Sequence, residues 1–320
     1  GLVTALTPAL DYWRITDTTK LGELAVVPYS TYQLPDIDLK LVEPPHLYIP
    51  KMLKEVGKVK IAVDNPFGRI AFEIEKNLGV RIQDLSEVIA DLRTIKHLEE
   101  LEIMKKALSI TERAVERALS ELKPGVTEKS IAAVVEYYMK LFGADGLAFE
   151  SIVAFGSNAA YPHATVTDRT LRRDDVVVID VGAQIENYSS DLTRTVLVGS
   201  VEEEVRKVVE VVSEAVDVAV DSVRDGVEAC EVDSRAREVL KRAGLSKYFI
   251  HSLGHGIGVE VHEKPRLAQG SKDVLKEGMV VTIEPGVYIP GKYGVRIENM
   301  VLVRESGAEV LNKLGKLLAV

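Results

Sequence analysis

One order of elements occurs twice in this 320-residue chain. A helical stretch, then KPGVTEKSIAAVVEYYMKLFGA, FESIVAFGSNAAYPHA and LRRDDVVVIDVGA, fills about residues 100–183. A second helical stretch, then RDGVEACEVDSRAREVLKRAGL, FIHSLGHGIGVEVHE and LKEGMVVTIEPGV, fills about residues 201–287. Gly125 falls opposite Gly226, Asp180 opposite Glu284 and Asp191 opposite Glu298, the second hairpin being slightly longer. Two such halves predict a domain with a pseudo-twofold axis, and the four hairpin carboxylates would converge on that axis.

Local signals fit this plan. Between about 96 and 122, apolar side chains at Leu98, Leu101, Met104, Leu108, Val115 and Leu119 follow the helical period. Pro124-Gly125 stops that helix, Thr127 caps a second one over about 128–142, and Gly143 ends it. Upstream, LAVVPYS and KIAVD read as strands, and about 47–57 and 67–78 as helices. The expected organisation is therefore a small α/β domain over 1–92 and a larger domain over 93–320. The chain begins on Gly1 rather than Met, as a truncated or processed product would.

Composition removes some functions. A net charge of −9 argues against a nucleic-acid partner, which needs a basic face. The apolar runs fall far short of a membrane span, and no basic-then-apolar leader is visible. Cys230 is the single cysteine, so no intramolecular disulfide can form; a cytoplasmic location is expected, with Cys230 buried as a small hydrophobe.

Five side chains carry the chemistry: Asp180, Asp191, His255, Glu284 and Glu298. Asp180, Glu284 and Glu298 follow or interrupt the apolar segments VVVI, VVTI and GVRI, where an unpaired charge costs several kcal/mol to bury. Four carboxylates and one imidazole can hold two divalent cations. With no thiolate among them, Mn²⁺, Co²⁺, Fe²⁺ or Zn²⁺ is favoured over softer metals. Two such ions acidify a water and polarise the carbonyl it attacks, which makes hydrolysis the leading expectation.

Each carboxylate pair flanks a turn, 182–190 or 285–297, so its members can lie side by side on antiparallel strands. Arg296, two residues before Glu298, would share its face, either orienting a metal ligand or gripping a substrate carboxylate. His163, His251, His255 and His262 cluster with these motifs. In HSLGHGIG the glycines argue against a helix and would let the backbone approach a metal or substrate closely.

Residues from about 93 to 315 resemble the catalytic domain of the pita-bread metallopeptidases, which include methionine aminopeptidase, aminopeptidase P and prolidase. The ordered motifs D…(11)…D, HGIG, TIEPG and RIE carry the resemblance, and LRTIKHLEELEIMKKA is similar to the start of this domain in the proline-specific branch. It implies an α+β fold, a pseudo-twofold repeat around a curved antiparallel sheet. It further implies two metal ions, Mn²⁺ or Co²⁺ before Zn²⁺ or Fe²⁺, on Asp180, Asp191, His255, Glu284 and Glu298. By the same resemblance His163, His262 and Glu284 would be catalytic. His251, His262 and Arg296 would bind substrate, and Thr193 would support the metal ligands. The implied substrates are dipeptides or short peptides cleaved before proline, and the implied assembly is a homodimer. Cleavage of Xaa-Pro dipeptides is expected ahead of aminopeptidase P activity on longer peptides, and both ahead of a non-catalytic binding role. The tyrosine-leucine-threonine-glycine-like segment usual at the start of this branch is missing, so the N-terminal domain is expected to be short by a strand and a helix.

Overall fold

The computed structural model describes residues 3–19, 22, 24–33, 41–56 and 60–320. Two compact units divide the chain, Gly1–Ile89 and Ala90–Val320. In the first, strands Val3–Pro8 and Leu24–Tyr29 pair in parallel, with helix Tyr12–Thr18 between them. Ala62–Val63 and Gln83–Asp84 make a second, short parallel pair. Helices Pro45–Val56 and Arg69–Leu78 match the two expected stretches; position 57 lies outside the described residues.

The second unit shows the repeat directly. Helices Leu98–Leu119 and Glu128–Leu141 precede the first hairpin, and Glu203–Ser222 and Ala229–Arg242 precede the second. The two matched glycines do the same job. Gly125 (φ +97°) and Gly226 (φ +79°) both take the left-handed conformation, which costs glycine little. Their N–H groups donate to Leu171 O at 2.9 Å and Leu275 O at 2.8 Å.

The first half forms a sheet in the order Leu317–Ala319, Leu192–Leu197, Val176–Val181, Ile152–Phe155. The second half's sheet runs Glu263–Leu267, Gly254–Gly256, Val280–Ile283, Asn299–Arg304, Gly307–Val310. All neighbours are antiparallel except Leu317–Ala319, which lies parallel to Leu192–Leu197. This is the α+β pita-bread arrangement.

Strand alternation decides which side chains reach the site. Val177, Ile179 and Val181 pack into the core with Met104, Leu108 and Val135 of the first helix pair. Asp180, between Ile179 and Val181, therefore points to the opposite face. Asp180 stands directly across from Thr193, and Ile179 from Arg194, so Thr193 shares the site face and Arg194 the helix face. No helix among the described residues is long and apolar enough to cross a membrane. Cys230 departs from expectation: at the start of helix Ala229–Arg242 it is partly exposed, its Sγ 3.4 Å from Glu228 Oε2.

Candidate metal centre

Asp180, Asp191, His255, Glu284 and Glu298 line one cavity of about 900 Å³, together with His163, His251, His262 and Arg296. The packing is tightest at Asp191, His255 and Glu298, each of which offers a ligand atom within 4.8 Å of the other two. His255 Nε2 lies 3.8 Å from Asp191 Oδ2 and 3.4 Å from Glu284 Oε1. Its Nδ1 is 3.0 Å from Gly256 O, which accepts the Nδ1 hydrogen bond and turns Nε2 towards the carboxylates.

The hairpins deliver these side chains asymmetrically. Asp180 lies within its strand opposite Thr193, while Asp191 immediately precedes Leu192. Glu284 and Glu298 stand one residue beyond the Ile283–Asn299 pair. The glycines beside His255 serve the neighbouring strands rather than a ligand. A Cβ on Gly254 would lie 1.9 Å from Thr282 O, and one on Gly256 2.0 Å from Lys264 O.

Charge at the centre is unbalanced. Burial, then repulsion from Glu298, Asp180 and Glu284, raises the Asp191 carboxyl well above the usual range. Burial with Glu284 and Asp180 pushes Glu298 up to about 8. Burial also pulls Glu284 upward, but the hydrogen bond and charge of His255 outweigh it and leave Glu284 below its ordinary value. Asp180 Oδ1 and Glu298 Oε1 are buried and accept no hydrogen bond from the described residues. Converging carboxylates, two unmatched buried oxygens and a correctly turned imidazole fit divalent cations.

The surrounding residues are held with care. Thr193 Oγ1 donates to Glu298 Oε2 at 2.8 Å. Arg296, 3% exposed, donates through Nη2 to Asp180 Oδ2 at 2.5 Å and through Nε to Thr193 Oγ1 at 3.2 Å. Its Nη1 donates to Pro162 O at 3.1 Å and Tyr288 at 2.6 Å. Four of five donors are thus engaged internally, one of them on the Asp180 carboxylate. The loop carrying His163 is tied down by buried Glu128, which accepts from Phe155 N at 2.8 Å and Thr167 N at 2.9 Å. Arg237 Nη2 fixes the His251 carbonyl at 2.6 Å. His262 packs edge-on against His255, ring centroids 4.4 Å apart.

Residues 102–305 match the model of metallopeptidase family M24. The chain belongs to this family. An Xaa-Pro dipeptidase of Pyrococcus furiosus is 45% identical over 293 residues, 83% of this chain and 84% of its own. The prolidase of Pyrococcus horikoshii OT3 superposes with TM-score 0.86 at 36% identity, over 98% of this chain and 85% of that one. The X-Pro aminopeptidase of Thermotoga maritima MSB8 gives TM-score 0.84 at 34% identity, over 99% and 87%. Membership of the M24 family implies divalent metal ions, and a candidate group for them, Asp191, His255 and Glu298, lines this cavity.

Sequence reasoning did not single out two residues that adjoin these side chains, Tyr288 and Arg266. Tyr288 lies over Gly286, where a Cβ would come 2.4 Å from the tyrosine oxygen, and its hydroxyl joins Arg296 to His251. The signal was available: Gly286 pairs with Arg296, so Tyr288, two residues on, shares Arg296's face. Arg266 pairs with His255 on the adjacent strand and lines the cavity.

Proposed function

We propose that this chain is a dinuclear Xaa-Pro dipeptidase, with Mn²⁺ or Co²⁺ on Asp180, Asp191, His255, Glu284 and Glu298. The observation that carries the reading is the Asp191–His255–Glu298 cluster, with its unmatched buried oxygen, in the cavity that also holds His163 and His262. When bound, the ions acidify a water and polarise the scissile carbonyl.

The chain's own residues do the rest. Glu284 takes the water's proton and passes it to the proline nitrogen as the C–N bond breaks. His262 donates a hydrogen bond to the carbonyl oxygen as it gains charge. His163, on its braced loop, positions the peptide beside it. Arg266, exposed on the strand next to His255, supplies the guanidinium fork for the free carboxylate of a dipeptide. An Xaa-Pro bond has no N–H, so this site need not provide an acceptor for one. His251 and Arg296 form the wall behind the reacting groups. The reading extends to a cytoplasmic homodimer, the latter checked by sedimentation.

Hydrolysis of an Xaa-Pro dipeptide, the same peptide extended by one residue, and its C-terminal amide, each with Mn²⁺ and Co²⁺, tests the proposal. Higher kcat/KM for the free dipeptide is expected. Equal or faster cleavage of the extended peptide would favour the second reading, an Xaa-Pro aminopeptidase. The roomy cavity, towards the upper end of the roughly 300–1,000 Å³ usual for small-ligand sites, is the observation on that side.

A further inference from the structure

Arg194 heads the large side chains fully removed from solvent, with 0% exposure. Its five N–H groups meet five uncharged oxygens. Nε donates to Gly315 O at 2.9 Å; Nη1 donates to Thr193 O at 2.9 Å and to Glu298 O. Nη2 donates to Leu314 O at 2.8 Å and Asn299 Oδ1 at 3.1 Å. Burying a guanidinium is costly, and a leucine would fill the same helix-side position at less cost if packing were its only task.

The acceptors come from three segments: the first hairpin, the second hairpin, and the stretch before Leu317–Ala319. That last stretch is itself anchored. Glu112 Oε1 accepts from Lys313 N at 2.7 Å and Leu314 N at 2.8 Å, and Asn312 Oδ1 accepts from Met300 N at 2.7 Å. On the site face the same two hairpins are joined by Glu298 N to Thr193 O at 3.1 Å and Thr195 Oγ1 to Arg296 O at 2.8 Å. The segment DLTRT thus holds the second hairpin from both sides, with Asp191 at its start.

We propose that Arg194 is a positioning residue for the metal centre: by clamping the Glu298 carbonyl to Thr193 it sets the spacing between Asp191 and Glu298. This rests on the five-ligand reading above. Its effect is on cation affinity, since no atom of Arg194 faces the cavity.

The test is Mn²⁺ binding to metal-stripped full-length protein, read from the electron paramagnetic resonance of free Mn²⁺, alongside thermal melting of the stripped protein. Arg194→Lys keeps the charge and loses the fork. It is expected to weaken Mn²⁺ binding by about 10–100-fold, as for supports of metal ligands elsewhere, while still melting cooperatively. Asn299→Ala removes one acceptor and is expected to weaken binding about two- to tenfold, the worth of one hydrogen bond. Melting lowered with Mn²⁺ affinity unchanged would make Arg194 a structural staple and overturn the proposal. If Arg194→Lys does not fold, Asn299→Ala decides alone, unchanged affinity again overturning it. Wild-type protein that takes up no Mn²⁺ would overturn the ligand assignment, and this inference with it.

Discussion

The Tyr288 hydroxyl lies 2.6 Å from Arg296 Nη1 and 3.0 Å from His251 Nε2. Burial pushes the phenol up to about 12, so it keeps its proton and donates it to Nε2. His251 Nδ1 lies 2.8 Å from Ser252 O and donates there. Burial also holds His251 below its ordinary value and hence neutral. The direction of every hydrogen bond along Arg296, Tyr288 and His251 is thereby fixed. Tyr288→Phe leaves two buried polar groups unmatched. A loss of about 1–3 kcal/mol in stability is expected in denaturant unfolding, with all five ligands retained.

Arg296→Lys should act on the metal rather than on substrate choice, since its fork grips Asp180 and Tyr288. Mn²⁺ affinity is expected to fall about tenfold or more. The preference for a dipeptide over its amide should persist, as measured by the ratio of kcat/KM values. Loss of that preference with metal affinity intact would return Arg296 to the substrate.

Arg266→Ala should do the reverse. KM for Xaa-Pro dipeptides is expected to rise about tenfold or more, the scale of one charged hydrogen-bonded contact. Amidated peptides should be cleaved as by the wild type, and metal content should not change.

Proton release should accompany metal binding. With its carboxyl raised to about 8, Glu298 is protonated at neutral pH in the metal-free fold but ionised in the unfolded chain above about 4.5. Its contribution therefore opposes folding increasingly as pH rises from about 4.5 to about 8, the reverse of a salt-bridged carboxylate. A cation displaces that proton. Calorimetric Mn²⁺ titrations at pH 7 in two buffers of different ionisation enthalpy should give different heats, and affinity should climb towards pH 8. Identical heats would mean that the ligands are already ionised.

The Lys96–Glu263 pair, 3.0 Å apart with side chains 1% and 5% exposed, adjoins His262. Lys96→Met strands a buried carboxylate and should cost about 3–5 kcal/mol in denaturant unfolding. Adding Glu263→Gln should restore part of that loss. A double variant no more stable than the single one would count against the pair as the cause.

The repeat was legible because each half writes the same punctuation: a helix, a left-handed glycine, a second helix and an acidic hairpin. Gly125 and Gly226 announce this locally, since positive φ at a turn leaves little choice of residue. Three carboxylates set against apolar segments, Asp180, Glu284 and Glu298, likewise pointed to a metal, because an unpaired charge there is costly to bury.

What the chain order could not express was contact between side chains far apart in sequence. Whether Arg296 faces a substrate or Asp180, 116 residues away, depends on how two hairpins meet. The same is true of Arg194, whose neighbours in DLTRT reveal nothing of Gly315, 121 residues on. Residue type and period-two alternation fixed the face each side chain occupies; only packing the two halves together decided which atoms it touches. The fold class and family belong to the sequence. The assignment of each arginine belongs to the tertiary structure, because a guanidinium's role is set by the oxygens within about 3 Å of it.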